Sequence, residues 1–144
     1  PVVGAVINMN SKSGQLFLNK LEAENPGLAK YAFHARNEKK YDYKSNGVTK
    51  NMTPQEKVKH YYRGSVLDDG TIVSARDVGN YGAGWVAARN GLSWNQARFG
   101  FDLYEGYKSN GVSMILFPVP IVLPVREAAN SVKAQMHGFI IGSR

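Results

Sequence analysis

Three clusters in the sequence hold the residue types that acid–base or anion chemistry needs. The first is Tyr41-Asp42-Tyr43-Lys44, an acid beside a lysine between two phenols. A carboxylate next to an ammonium can move a proton or hold a phosphate; the same residues would equally make a solvated turn with aromatic anchors. The second is Arg76-Asp77-Val78-Gly79-Asn80-Tyr81. Here Asp77 is a candidate base or acid, Asn80 an orienting donor one turn later, and Arg76 or Arg89 an anion clamp. Asp77, Asn80, Tyr81 and Gly84 fall on one helical face, although Asp77 would serve equally as a helix cap. The third is His60 with Tyr61, Tyr62 and Arg63. Metal-free RNA cleavage wants a base near the 2′-hydroxyl, an acid near the leaving oxygen and a cation on the phosphate. His60 and Arg63 could supply two of these; the alternative is a helix-end histidine near the negative pole of the dipole. His34 with Arg36 is a similar pair. Arg98 and Asp102 stand four apart, the spacing of a surface ion pair, and Trp85 and Trp94 read as core.

Other chemistries lack their residues. The chain has no cysteine, which removes disulfides, thiol nucleophiles and thiolate metal sites together. No Walker loop, paired-histidine zinc spacing or nucleophile elbow is present. No metal or cofactor is called for. With 18 Lys+Arg against 11 Asp+Glu the net charge is +7, a balance that suits an anionic partner. The longest apolar run, 114–125, is too short to span a bilayer and carries three prolines, so no stable membrane insertion is expected.

The elements that must position these clusters are mostly helical. At 144 residues, with 43% hydrophobic and 20% charged content, the chain has the makings of one globular domain over 1–144. Residues 74–107 read as two helices separated by Asn90-Gly91, with Ser93 and Gln96 as a capping box for the second. Small residues on the first of these let another backbone approach closely, and the remaining elements are expected to pack around the pair. Helices are also expected over 15–24, stopped by Asn25-Pro26, over 27–36, and from Thr53-Pro54-Gln55-Glu56 to about residue 62. Residues 37–50 read as a loop or short hairpin, and 64–74 as a hairpin around Asp68-Asp69-Gly70. The apolar run with Pro118, Pro120 and Pro124 reads as an extended segment over the core. A last helix is expected over 126–136, closed by His137-Gly138, with 139–141 returning as a short strand. The hexapeptide Tyr-Lys-Ser-Asn-Gly-Val occurs at 43–48 and again at 107–112, and reads as a reused turn. The expected fold class is mainly α (α+β): a compact helical domain with a small hairpin and an extended proline-rich segment near its end. For the clusters to share one cleft, the loop near residue 42 must fold over the start of the helix near residue 77.

The YDYK and RDVGNYGAG motifs resemble the C-terminal toxin modules of bacterial polymorphic toxin systems, most nearly the type 44 toxin family. The resemblance covers roughly 33–107: an aromatic-Asp-Tyr-Lys element at Tyr41, Asp42, Tyr43 and Lys44, then Asp77, Gly79, Asn80, Tyr81, Gly82 and Ala83, with Asn90-Gly91 at the break. The tyrosine–glycine pair follows Asn80 at once, where the family has a short spacer. The resemblance implies an effector for interbacterial competition, carried at the tip of a larger secreted protein, delivered into a target bacterial cell and neutralised by a cognate immunity protein. It also implies ribonuclease activity. The expected site is then Asp42, Asp77 and His60 as catalytic groups, with Lys44, Tyr43, Arg76, Asn80, Tyr81 and Arg63 binding substrate. Two other expectations stay open: a periplasmic glycoside hydrolase that cleaves peptidoglycan with Asp42 and Asp77 as its carboxylate pair, and a non-enzymatic module whose basic face binds an acidic partner.

Overall fold

The computed structural model describes residues 2–36, 38–110, 114–116, 119–121 and 129–144; over 103–110, 114–116 and 119–121 the backbone alone is described. The elements run α1 (Ser13–Glu24), α2 (Leu28–His34), a 3-10 turn (Tyr43–Ser45), α3 (Pro54–Tyr61), β1 (Gly64–Val66), β2 (Ile72–Ser74), α4 (Ala75–Arg89), α5 (Trp94–Asn110), β3 (Met114–Leu116), β4 (Val119–Ile121) and α6 (Ala129–Gly142). The domain is mainly helical with small antiparallel hairpins. No helix among the described residues is long and apolar enough to cross a membrane.

Side-chain caps set the starts of α3, α4 and α5. Thr53 accepts from Glu56 N at 3.3 Å while Glu56 Oε2 accepts from Thr53 N at 2.7 Å, so two orphan amide donors of α3 are satisfied reciprocally. Ser93 and Gln96 repeat the arrangement before α5, at 2.9 and 3.3 Å. α1 ends at Asn25, which enters the left-handed region at φ 39° before Pro26. Asn90 does more than end α4. Its Nδ2 donates to Val86 O (2.8 Å) and Pro26 O (3.1 Å), and its Oδ1 accepts from Leu28 N (3.3 Å), which ties the end of α4 to the start of α2. β1 and β2 pair antiparallel with Gly64 opposite Ser74 and Val66 opposite Ile72.

α4 is the spine of the core. Trp85 and Val86 cluster with Leu21, Tyr31 and Tyr41, and Val78 and Ala75 with Leu18 and Tyr43. The close backbone approach expected from its small residues is made by α6. A Cβ on Gly138 would stand 2.0 Å from Tyr81 O, and one on Gly142 2.7 Å from Trp85 O. α5, the other half of the expected central pair, is a lesser partner of α4 than α6 is.

Two expectations are corrected. α6 continues through His137 and Gly138 to Gly142, because Gly138 serves close helix packing rather than a C-cap; residues 139–141 are accordingly helical, not a strand. Residues 38–50 form a loop of turns with one 3-10 turn, not a hairpin, and Tyr41, Asp42, Tyr43 and Ser45 in it are buried rather than solvated. The described parts of the proline-containing stretch are extended, as expected, and pair with each other: β3 and β4 are antiparallel with Ile115 opposite Pro120. The rest of that stretch, at 111–113, 117–118 and 122–128, lies outside the described residues.

Candidate active site

α2, the 41–44 loop and α4 enclose a cavity of about 440 Å³, with Phe101 of α5 and Gln135 of α6 also on its wall. The polar side chains of Asp42, Lys44, Arg76 and Asn80 line it, together with Tyr43 and Tyr61. Two separate stretches of sequence thus supply a carboxylate, an ammonium, a guanidinium and an amide to one space. The volume falls in the range of small-molecule sites.

Each group is held by its element. Asp42 is buried (7% exposed); its Oδ2 accepts from Glu38 N at 3.0 Å, and its Oδ1 has no hydrogen-bond partner among the described residues. Lys44 Nζ lies 5.8 Å from the Tyr61 ring centroid. Arg76 projects from the first turn of α4, where Nη1 donates to the Tyr62 hydroxyl at 3.1 Å. One turn on, Asn80 Nδ2 is shielded from solvent and finds no acceptor among the described residues. A buried donor without an acceptor costs roughly 1–3 kcal/mol, a cost that a ligand acceptor would remove.

The remaining expected site residues sit elsewhere. Asp77 does not line this cavity. It belongs to the α4 cap: Ser74 Oγ accepts from Asp77 N at 3.1 Å and donates to Asp77 Oδ2 at 2.8 Å. The helix face that carries Asp77 and Tyr81 is turned from the one that carries Arg76, Asn80 and Ala83. Tyr81 packs edge-on against His137 at 5.4 Å, and burial raises its phenol above the usual range. His60 and Arg63 line a second cavity of about 310 Å³, which shares Tyr43 with the first. His60 Nε2 meets Asn46 O at 2.6 Å. A carbonyl only accepts, so this network assigns the proton to Nε2 and leaves Nδ1 as the acceptor. Arg63 is a loop anchor. Its Nη1 donates to Lys44 O and His60 O and its Nη2 to Tyr43 O, each at 2.9 Å, and burial lowers its pKa from the ordinary value.

Sequence reasoning missed the support beneath the loop. Tyr41 OH donates to Glu24 Oε2 at 2.8 Å, and Lys40 Nζ reaches the same oxygen at 2.7 Å. Burial first, then the Glu24 bond, push the Tyr41 phenol up to about 12. The Lys40 bond first, then the Tyr41 bond, hold the Glu24 carboxyl below its usual range. No local pattern links residue 24 to residue 41. Gln135, fully buried at the cavity wall and accepting from Arg98 Nη1, also carries no sequence signal beyond its place on a helix.

Among the described residues no group of three or more His, Cys, Asp or Glu side chains could hold a metal ion. Comparison with protein-family models, curated proteins and solved structures finds no match.

Proposed function

We propose that this chain is an antibacterial effector domain of the polymorphic-toxin kind, which cleaves RNA without a metal ion at the cavity between α2, the 41–44 loop and α4. One observation carries the reading: Asp42, Lys44, Arg76 and Asn80, whose amide nitrogen finds no acceptor among the described residues, line a single cavity. The net charge of +7 favours a polyanionic substrate. The resemblance of YDYK and RDVGNYGAG to type 44 toxins supplies the biological setting, which is secretion, delivery into a target cell and a cognate immunity protein.

In the proposed reaction Asp42 Oδ1 takes the 2′-hydroxyl proton and the freed oxygen attacks the adjacent phosphorus. Arg76 neutralises charge on the phosphoryl oxygens, Asn80 donates to the bound nucleotide, and the Lys44 ammonium protonates the departing 5′-oxygen. The products are a 2′,3′-cyclic phosphate and a 5′-hydroxyl. Asp42 is the single carboxylate on the described wall, a poor donor set for the two-metal alternative. Asp77 lies outside that wall, which counts against the two-carboxylate glycosidase.

The test is expression in a bacterial host with and without a periplasmic export signal. Growth arrest with RNA degradation on cytoplasmic expression supports the reading. Arrest with intact RNA, or toxicity confined to the exported form, removes it.

A further inference from the structure

Four aromatic rings lead from the cavity wall to the surface. Tyr31 and Tyr41, both on the wall, stack at 5.2 Å and 18°. Tyr41 meets the His34 ring edge-on at 5.9 Å, and His34 meets Phe33 edge-on at 5.1 Å. Phe33 ends the series on the outside of α2, with half its surface (50%) in solvent. Two cations gather on that one exposed ring. Lys39 Nζ lies 3.7 Å and Arg36 Cζ 5.4 Å from its centroid.

This cluster is held in place by the candidate site itself. Lys39 is returned to Phe33 by a turn in which Lys39 N donates to Arg36 O (3.0 Å) and Asp42 N donates to Lys39 O (2.9 Å). Within it Glu38 adopts φ 61°, a left-handed conformation uncommon for residues other than glycine. The Glu38 amide is fixed by Asp42 Oδ2. One carboxylate therefore faces the cavity and also pins the turn that brings Lys39 to Phe33.

An exposed flat ring flanked by cations is the arrangement that binds single strands: bases stack on the ring and phosphates meet the cations, without regard to base identity. We propose that Phe33, Arg36 and Lys39 form a strand platform for single-stranded RNA. A nucleotide flanking the one in the cavity stacks on Phe33, while Arg36 and Lys39 take the neighbouring phosphates. Lys39 Nζ leaves the ring face as the base arrives, because base stacking outweighs an exposed cation–π contact. The proposal rests on the reading of the cavity as an RNA site.

The experiment measures binding of the full chain to a fluorescent ten-nucleotide single strand with a 2′-O-methyl backbone, which cannot be cleaved, and to uridine 3′-monophosphate. Phe33→Ala is expected to weaken decamer binding about tenfold and Phe33→Trp to restore it. The Arg36→Ala/Lys39→Ala pair is expected to make the salt dependence shallower by about 1.4, two phosphates at roughly 0.7 each. Monophosphate binding stays at the wild-type level in all three. Wild-type decamer affinity and salt slope in both the Phe33→Ala and paired variants overturn the platform and leave the cavity reading standing. A wild-type chain that binds neither decamer nor monophosphate overturns the cavity reading, and the platform with it.

Discussion

Gly84 and Gln135 meet backbone to backbone: a Cβ on Gly84 would stand 1.8 Å from the Gln135 carbonyl oxygen. α4 and α6 therefore sit at a separation that only glycine permits, and the cavity wall at Gln135 depends on it. Gly84→Ala and Gly138→Ala each force the helices apart and are expected to cost about 3 kcal/mol or more. Gly100→Ala, where nothing lies within 4 Å of the added methyl, is expected to be neutral or to stabilise by up to about 1 kcal/mol. Urea midpoints decide; equal stability of all three would contradict the close approach.

Elements that announce themselves through one nearby side chain are legible in the sequence. Thr53 with Glu56, Ser93 with Gln96, and Asp68-Asp69-Gly70 between β-branched residues all act over a few residues, and each yields the element its chemistry implies. What depends on distant partners is not legible. Gly138 has the look of a helix stop, but Tyr81 O on another helix determines its role. The hexapeptide shared by 43–48 and 107–112 begins with a 3-10 turn in the first copy, while residues 107–110 of the second are helical, so tertiary context overrides local preference. At the site, the types in YDYK and RDVGN point to Asp42, Lys44, Arg76 and Asn80. The same motifs also nominate Asp77, and only the orientation of α4 separates a capping carboxylate from cavity-facing neighbours. His60, on α3, and Arg63, just after it, face a different cavity because both are tied to backbone carbonyls of the 43–46 loop, which no local pattern announces.

The Tyr41–Glu24 pair predicts opposite pH effects. A phenol raised to about 12 keeps its proton in the fold while an unfolded tyrosine loses it near 10. Its stabilisation is therefore complete below about pH 10 and lost as pH climbs from there towards 12. Glu24, held low, contributes stability above the ordinary carboxyl range and loses it as pH falls below that range. Absorbance titration at the tyrosinate band should show a phenol ionising near 12 that is absent in Tyr41→Phe. Glu24→Gln should shift it downward. A native titration with no such late phenol would contradict the buried bond.

Arg63 is expected to act on stability before it acts on substrate. Arg63→Lys keeps a charge but loses the fork that holds Tyr43 O, Lys44 O and His60 O. It should lower unfolding free energy by about 2 kcal/mol in urea titration. A variant as stable as wild type would remove the anchor role.

Asp77 is expected to matter as a cap and no further. Ser74→Ala and Asp77→Asn should each cost about 1 kcal/mol or less. RNA cleavage should stay within about twofold of wild type once both proteins are fully folded. A loss of activity in Asp77→Asn far beyond its loss of stability would return this carboxylate to the chemistry.

The most direct measurement is cleavage of purified RNA by the purified chain in excess chelator, wild type beside Asp42→Asn. Asparagine keeps an oxygen for the Glu38 amide and removes the proton acceptor. The expected result is metal-independent cleavage that leaves 2′,3′-cyclic phosphate ends, reduced at least about a hundredfold in Asp42→Asn at unchanged thermal midpoint. RNA left intact by the wild-type chain, or cut equally by both proteins, would contradict the assignment of the cavity.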